Sequence, residues 1–153
     1  MLRWCMARGF DLTLIETMPL GTIEGNRADR YLPLDGVIEG LAASFALTPS
    51  LDRTGGPARY FAVEGATRLG LITPLTQNFC SGCNRIRISA TGTVYGCLGR
   101  DQHVDLRGPL RDHDLTALHS RLDKLVSGKP RRHDFDIDAS EPAVSRHMSV
   151  TGG

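Results

Sequence analysis

Apolar and polar positions switch between two periods along this chain, and the switches mark its elements. In the first ten residues Leu2, Cys5 and Met6 share one face of a short helix. That helix closes at Gly9, which suits the left-handed backbone of a C-terminal cap, and Cys5 is expected to be a core thiol. Residues 10–16, FDLTLIE, read as a strand, which breaks at Met18-Pro19-Leu20-Gly21 into a polar loop running to Pro33. Leu34, Val37, Ile38, Leu41 and Phe45 stand at offsets 0, 3, 4, 7 and 11, the repeat of one helical face. After the turn Thr54-Gly55-Gly56-Pro57, residues 59–63 and 69–73 read as short strands.

The second half begins with a cysteine loop and a hairpin. Residues 85–89, RIRIS, and 93–95, TVY, alternate around Ala90-Thr91-Gly92, and a tight connection would set Ala90 opposite Thr93. Residues 98–111 read as loop. Leu115, Leu118, Leu122, Leu125 and Val126 then mark one face of a helix, which starts at Asp112-His113-Asp114 and stops at Gly128 and Pro130. From Arg131 the tail is polar.

Composition narrows the classes. A chain of 153 residues with 41% hydrophobic content can bury one ordinary core, removing about 70% of its unfolded surface from water. The formal net charge of +1 and 6% aromatic content give no reason to expect nucleic acid as a partner. No window approaches the roughly 20 apolar residues of a membrane span, and charge interrupts the N-terminal segment before any signal-peptide run, so the chain reads as cytoplasmic. Sixteen of its eighteen cations are arginine, whose planar fork suits phosphate or carboxylate. Four cysteines in that compartment are expected to be metal ligands or free thiols rather than disulfides.

The chemistry gathers at Cys80-Ser81-Gly82-Cys83-Asn84-Arg85-Ile86-Arg87. With Ala90 opposite Thr93, Cys97 would return opposite Ile86, so C-x2-C-x13-C closes into one site. A strand period of two puts Arg85 and Arg87 on one face and Ile86 and Ile88 on the other. Three readings stay open on spacing alone. A structural zinc would need a fourth ligand, which His103 could supply in a Cys3His binding module. A redox pair would use Cys80 and Cys83 and leave Cys97 without a role. An iron–sulfur cluster on three thiolates would keep one iron open, beside two arginines suited to a phosphorylated ligand.

These residues resemble the radical-SAM GTP cyclase family that begins molybdenum cofactor biosynthesis, the MoaA family, in its C-terminal half. The resemblance runs through L14-I15-E16-T17-M18-P19-L20-G21, G56-P57-A58-R59-Y60-F61, G70-L71-I72-T73-P74, F79 to R87, G92, Y95-G96-C97-L98 and R146-H147-M148-S149-V150-T151-G152-G153. It implies an α/β fold: the C-terminal part of an incomplete radical-SAM (TIM-like) barrel, followed by a small α+β iron–sulfur-binding region with a β-hairpin. Residues 1–50 would be the end of the barrel and residues 51–153 the iron–sulfur and GTP-binding region with its Gly-Gly tail.

The resemblance also implies site roles. Cys80, Cys83 and Cys97 would hold a [4Fe-4S] cluster whose open iron meets the guanine of GTP. Arg85, Ile86 and Arg87 would contact the nucleotide, Ile86 through its backbone, and Met18 would touch S-adenosylmethionine. Gly152 and Gly153 would form a tail that reaches the active site. S-adenosylmethionine and a second [4Fe-4S] cluster belong to the complete enzyme, because the radical-SAM C-x3-C-x2-C motif does not occur in these 153 residues. The chain is thus expected to begin inside the barrel. It would be the substrate-holding half of the enzyme, with an N-terminal half in trans or a second copy as partner, or an inactive truncated remnant. Thr13 stands where the family carries an arginine, which removes one cation from the cavity. Glu16 is expected either to be satisfied in the core or to face the cavity. His113, His119, His133 and His147 are read as surface residues, and Asp134, Asp136 and Asp138 as a solvated acidic stretch.

Overall fold

A computed structural model describes residues 1–65 and 67–151 and shows a mixed α/β arrangement of two compact units. The first unit comprises Met1–Met18 and Arg30–Phe79, the second Pro19–Asp29 and Cys80–Gly153. Among the described residues no helix is long and apolar enough to cross a membrane.

The first unit is built on four strands. Helix α1 (Leu2–Met6) buries Leu2 and Cys5 and ends in a turn with Gly9 at φ +67°, as the pattern predicts. Strand β1 (Leu12–Ile15) follows, then helix α2 (Leu34–Ala42) and strands β2 (Leu47–Pro49), β3 (Arg59–Val63) and β4 (Thr67–Ile72). The sheet order is β1-β4-β3-β2, with β1 parallel to β4 and the other pairs antiparallel. Strand β2 is not expected from the pattern: three residues ending in proline carry too little periodicity, and their pairing with residues 61–63 comes from across the turn. The sheet therefore runs across position 50.

The core of this unit is Leu2, Leu34, Val63, Leu69 and Leu71, with Val37, Ile38, Leu41 and Phe45 of the α2 face packed against it. Glu16 lies at the end of β1 and is only 2% exposed. Its carboxylate accepts from the backbone N–H of Leu34 (3.3 Å), Leu75 (2.9 Å) and Thr76 (3.1 Å) and from the Thr76 hydroxyl. The open question about Glu16 is thus answered: it is a satisfied core carboxylate that ties strand, helix and loop together, which is how a buried charge is tolerated.

In the second unit, β5 (Arg87–Ile88), β6 (Thr93–Tyr95) and β7 (His103–Asp105) form an antiparallel sheet. Helix α3 (Arg107–Arg111) leads to α4 (Leu115–Ser127), whose N-cap Asp114 accepts from the Ala117 N–H at 2.9 Å. The hairpin register differs from the expected one. Arg87 pairs with Tyr95 and Ile88 with Val94, and the loop is three residues long, with Ser89 N–H donating to Thr93 and Gly92 N–H to Ser89. Gly92 sits at φ +81°, the left-handed position that closes such a loop, whereas a two-residue loop would force β-branched Thr91 to positive φ as well. Strand β7 and α3 occupy a segment read as loop; β7 exists through antiparallel pairing with β6. The small core is Val94, Leu106 and Leu125, with Val104, Leu118 and Leu122 against it. Leu115 and Val126, placed on the buried face by the helical period, are 64% and 60% exposed because they fall at the two ends of α4.

Candidate metal and nucleotide site

The C-x-x-C segment folds into one 3₁₀ turn, Cys80–Gly82, and the Cys83 N–H donates to the Cys80 carbonyl at 3.1 Å. In that geometry residues three apart stand over one another, so the turn puts Cys80 and Cys83 on one side. The hairpin then returns the chain through the buried Gly96 to Cys97. All three thiols are half-buried and free. Cys97 feels the other two: burial pushes this thiol up, the Gly99 N–H opposes, and the neighbouring Cys80 and Cys83 push it up further. At Cys83 burial also raises the pKa, but the Arg85 N–H, the Lys129 ammonium and the Arg85 guanidinium together outweigh it and leave the thiol below its ordinary value. The Ile86 position expected opposite Cys97 is not realised, because the ladder begins only at Arg87. Among the described residues no group of three or more His, Cys, Asp or Glu side chains is drawn tightly enough to hold a metal ion.

The alternation predicted for residues 85–88 is present. Cys83, Arg85 and Arg87 are half-buried, while Asn84, Ile86 and Ile88 are exposed. The face turned inward in this unit is therefore the cationic one, and the isoleucines point to solvent, Ile88 at 60% exposure. Arg87 Nε is buried without a hydrogen-bond partner among the described residues. A buried guanidinium N–H left unpaired is costly, and an anionic ligand would satisfy it.

Two residues to which the sequence assigns no role organise this region. Lys129, in the Gly-Lys-Pro that follows α4, donates to the carbonyls of Cys83 (2.8 Å) and Arg85 (2.7 Å) and lies 3.7 Å from Cys83 Sγ. Arg146 sends its guanidinium to the carbonyls of Cys97 (3.2 Å), Leu98 (2.8 Å) and Arg100, pairs with Asp101, and stacks 4.2 Å above the Tyr95 ring. The one available signal for Lys129 is its rarity: it is one of two lysines in an arginine-rich chain. His103 does not join the cysteines as a fourth ligand in this arrangement. It lies in β7 with Nδ1 2.6 Å from the Asp101 carbonyl and its ring 5.4 Å from Tyr95. Met18 is half-buried just after β1, and Thr13 lies on the exposed side of that strand opposite Gly70. Gly152 and Gly153 lie outside the described residues; the chain before them closes in a 3₁₀ turn, Met148–Thr151. His147 is exposed, and so are Asp134, Asp136 and Asp138.

The donor set, three thiols, is of the kind that would hold an iron–sulfur cluster. Three thiols are half-buried, Cys97 feels the other two, cations hold Cys83 below its ordinary value, and N–H donors are aimed at Cys83 and Cys97.

Comparison with known proteins places these residues in context. The profile of the family "Molybdenum Cofactor Synthesis C" matches residues 10–135. The whole chain aligns with a GTP 3′,8-cyclase of Erythrobacter litoralis (strain HTCC2594) at 53% identity over 156 residues, covering 47% of that protein. It aligns likewise with the GTP 3′,8-cyclases of Rhizobium meliloti (strain 1021) and Agrobacterium fabrum (strain C58 / ATCC 33970), each 54% identical over 157 residues and covered to 45%. The chain thus spans about half the length of the curated relatives it matches.

Proposed function

We propose that this chain, which belongs to the Molybdenum Cofactor Synthesis C family, is the [4Fe-4S]-binding and GTP-binding portion of a GTP 3′,8-cyclase that acts in molybdenum cofactor biosynthesis. The observation that carries the reading is the pairing of three half-buried free thiols with an inward cationic strand whose Arg87 Nε has no hydrogen-bond partner among the described residues. Identity above 50% with three GTP 3′,8-cyclases along the whole chain supports it.

In this reading Cys80, Cys83 and Cys97 hold the cluster. A cluster bound through three thiolates supplies one iron with a free coordination position for a donor atom of the nucleotide. Arg85 and Arg87 bind the anionic nucleotide, and the exposed Ile86 offers its backbone. Holding the nucleotide in one orientation removes translational and rotational freedom that the reaction would otherwise have to lose, a contribution of several kcal/mol to barrier lowering in well-positioned systems. Met18 would contact S-adenosylmethionine, and Gly152 and Gly153 would form the tail that reaches the nucleotide. The radical generator, with its own cluster, belongs to the complete enzyme, so an N-terminal half would have to supply it in trans; a second copy of this chain, which lacks the C-x3-C-x2-C motif, could only be a partner in a homodimer.

Anaerobic reconstitution with iron and sulfide should give a brown protein with about four irons per chain. A colourless protein that holds a single zinc instead would overturn the assignment. With the cluster in place, Arg87→Met should weaken GTP binding about 10-fold to 100-fold, the effect of removing one or two charge-assisted hydrogen bonds.

A further inference from the structure

Lys129 stands where no regular ladder supports the chain. Strand β5 starts at Arg87, so the carbonyls of Cys83 and Arg85 find no cross-strand donor, yet both residues are half-buried. Buried carbonyls without partners are costly. The Lys129 ammonium takes both, at 2.8 and 2.7 Å, and its remaining N–H lies toward Cys83 Sγ at 3.7 Å. An ammonium has three donors, and here three acceptors surround it. The backbone after α4 fixes its origin. Gly128 N–H returns to the Lys124 carbonyl at 3.1 Å and Lys129 N–H to that of Val126 at 3.2 Å. A Cβ at Gly128 would stand 3.0 Å from the Lys124 carbonyl, so a side chain would crowd this turn.

One side chain therefore touches a cysteine sulfur and holds the two peptide groups that carry Arg85 toward Arg87. We propose that Lys129 is a positioning residue that couples the Cys83 ligand to the nucleotide-facing strand, donating to the ligand sulfur while fixing the Arg85 backbone. The proposal rests on the cluster reading given above. A purely structural brace would need only the two carbonyl contacts. A donor and positive charge at a ligand sulfur should also stabilise the reduced, more negative form of a bound cluster and so raise its reduction potential.

The test compares the reconstituted wild-type chain with Lys129→Met, which keeps the length of the stem and removes the donors, and with Lys129→Arg, which keeps the charge. If the wild-type chain takes up no iron–sulfur cluster, the cluster reading fails, and this inference with it. With about four irons bound, Lys129→Met should shift the ratio of oxidised to reduced cluster at fixed potential about tenfold toward oxidised, which is about 59 mV more negative for a one-electron couple. GTP affinity, measured separately on the same samples, should fall about tenfold, the effect of loosening one charged contact. Lys129→Arg should recover most of both. A Lys129→Met protein that holds its irons at the wild-type potential overturns the proposal while leaving the cluster reading intact. Should Lys129→Met lose its iron altogether, recovery of the cluster in Lys129→Arg supports the proposal, and failure to recover it overturns it.

Discussion

The two units solve the problem of holding a chain in opposite ways. In the first, a sheet and two helices enclose a leucine- and valine-rich core, and Glu16 inside it is saturated with donors. In the second, the apolar core around Val94, Leu106 and Leu125 serves only one end of the hairpin and α4, while long cations hold the cysteine-bearing loops by their carbonyls. The difference shows where function is placed. An apolar interior stabilises by area and offers no polar donors, whereas the cationic face of the second unit keeps one buried donor, Arg87 Nε, without a partner among the described residues, which an anionic ligand can take.

The comparison can be broken from either side. The largest effect is expected at Leu69, fully buried in the centre of the first sheet. Leu69→Ala should lower stability by about 2–5 kcal/mol through lost transfer energy and the cavity left behind, seen as an earlier urea midpoint with an unchanged slope. If the loss were under about 0.5 kcal/mol, typical of surface sites, the first unit would not be held by its apolar core. A smaller effect is expected at Arg146, whose side chain is 9% exposed and spans the Cys97 loop. Arg146→Met should cost about 1–3 kcal/mol, because several carbonyls lose a charged donor, and Cys97 should be alkylated faster by iodoacetamide. Unchanged alkylation would show that the loop does not depend on that clamp.

The smallest effect concerns Asp11, which accepts three hydrogen bonds from Arg68 of β4. The side-chain and backbone hydrogen bonds from Arg68 hold its carboxyl below the usual carboxylate range. A depressed carboxyl contributes stability that is present above the unfolded pKa and is lost as pH falls through the folded value. Asp11→Asn should therefore lower stability at pH 7 by less than about 1 kcal/mol, as exposed pairs do, and that deficit should shrink as pH falls below the unfolded carboxyl value and through the lowered folded one. A deficit that did not change with falling pH would assign the effect to packing instead of charge.

Legibility followed the same division. The helix from Leu34 could be read because its apolar residues repeat with the helical period and pack as that repeat requires. The inward turn of Arg85 and Arg87 and the outward turn of Ile86 and Ile88 could be read as two faces, but not which face is buried, because hydrophobicity alone would choose the isoleucines. The hairpin was legible as an element and not in register: one glycine at φ +81° shifted the pairing by a residue. The strands Leu47–Pro49 and His103–Asp105 were illegible because three residues carry no period and each is defined only by pairing with another segment. Of the candidate site, the cysteines and arginines stand out by spacing, whereas Lys129 and Arg146 do not, since a single cation carries no pattern.

Sequence by itself determined the residue chemistry: three cysteines at C-x2-C-x13-C, arginines two apart beside them, and an amphipathic helix on either side of that segment. These are local properties, set by identity and by periods of two and 3.6 residues. Tertiary structure alone decided that Glu16 is a core anchor, that the strand beside the cysteines turns its cations inward, and that Lys129 closes on a sulfur forty-six positions away. The physical reason is that hydrogen-bond satisfaction and burial are properties of the whole packed chain. A carbonyl, a carboxylate or a guanidinium is costly or stabilising only according to what the rest of the fold brings to it.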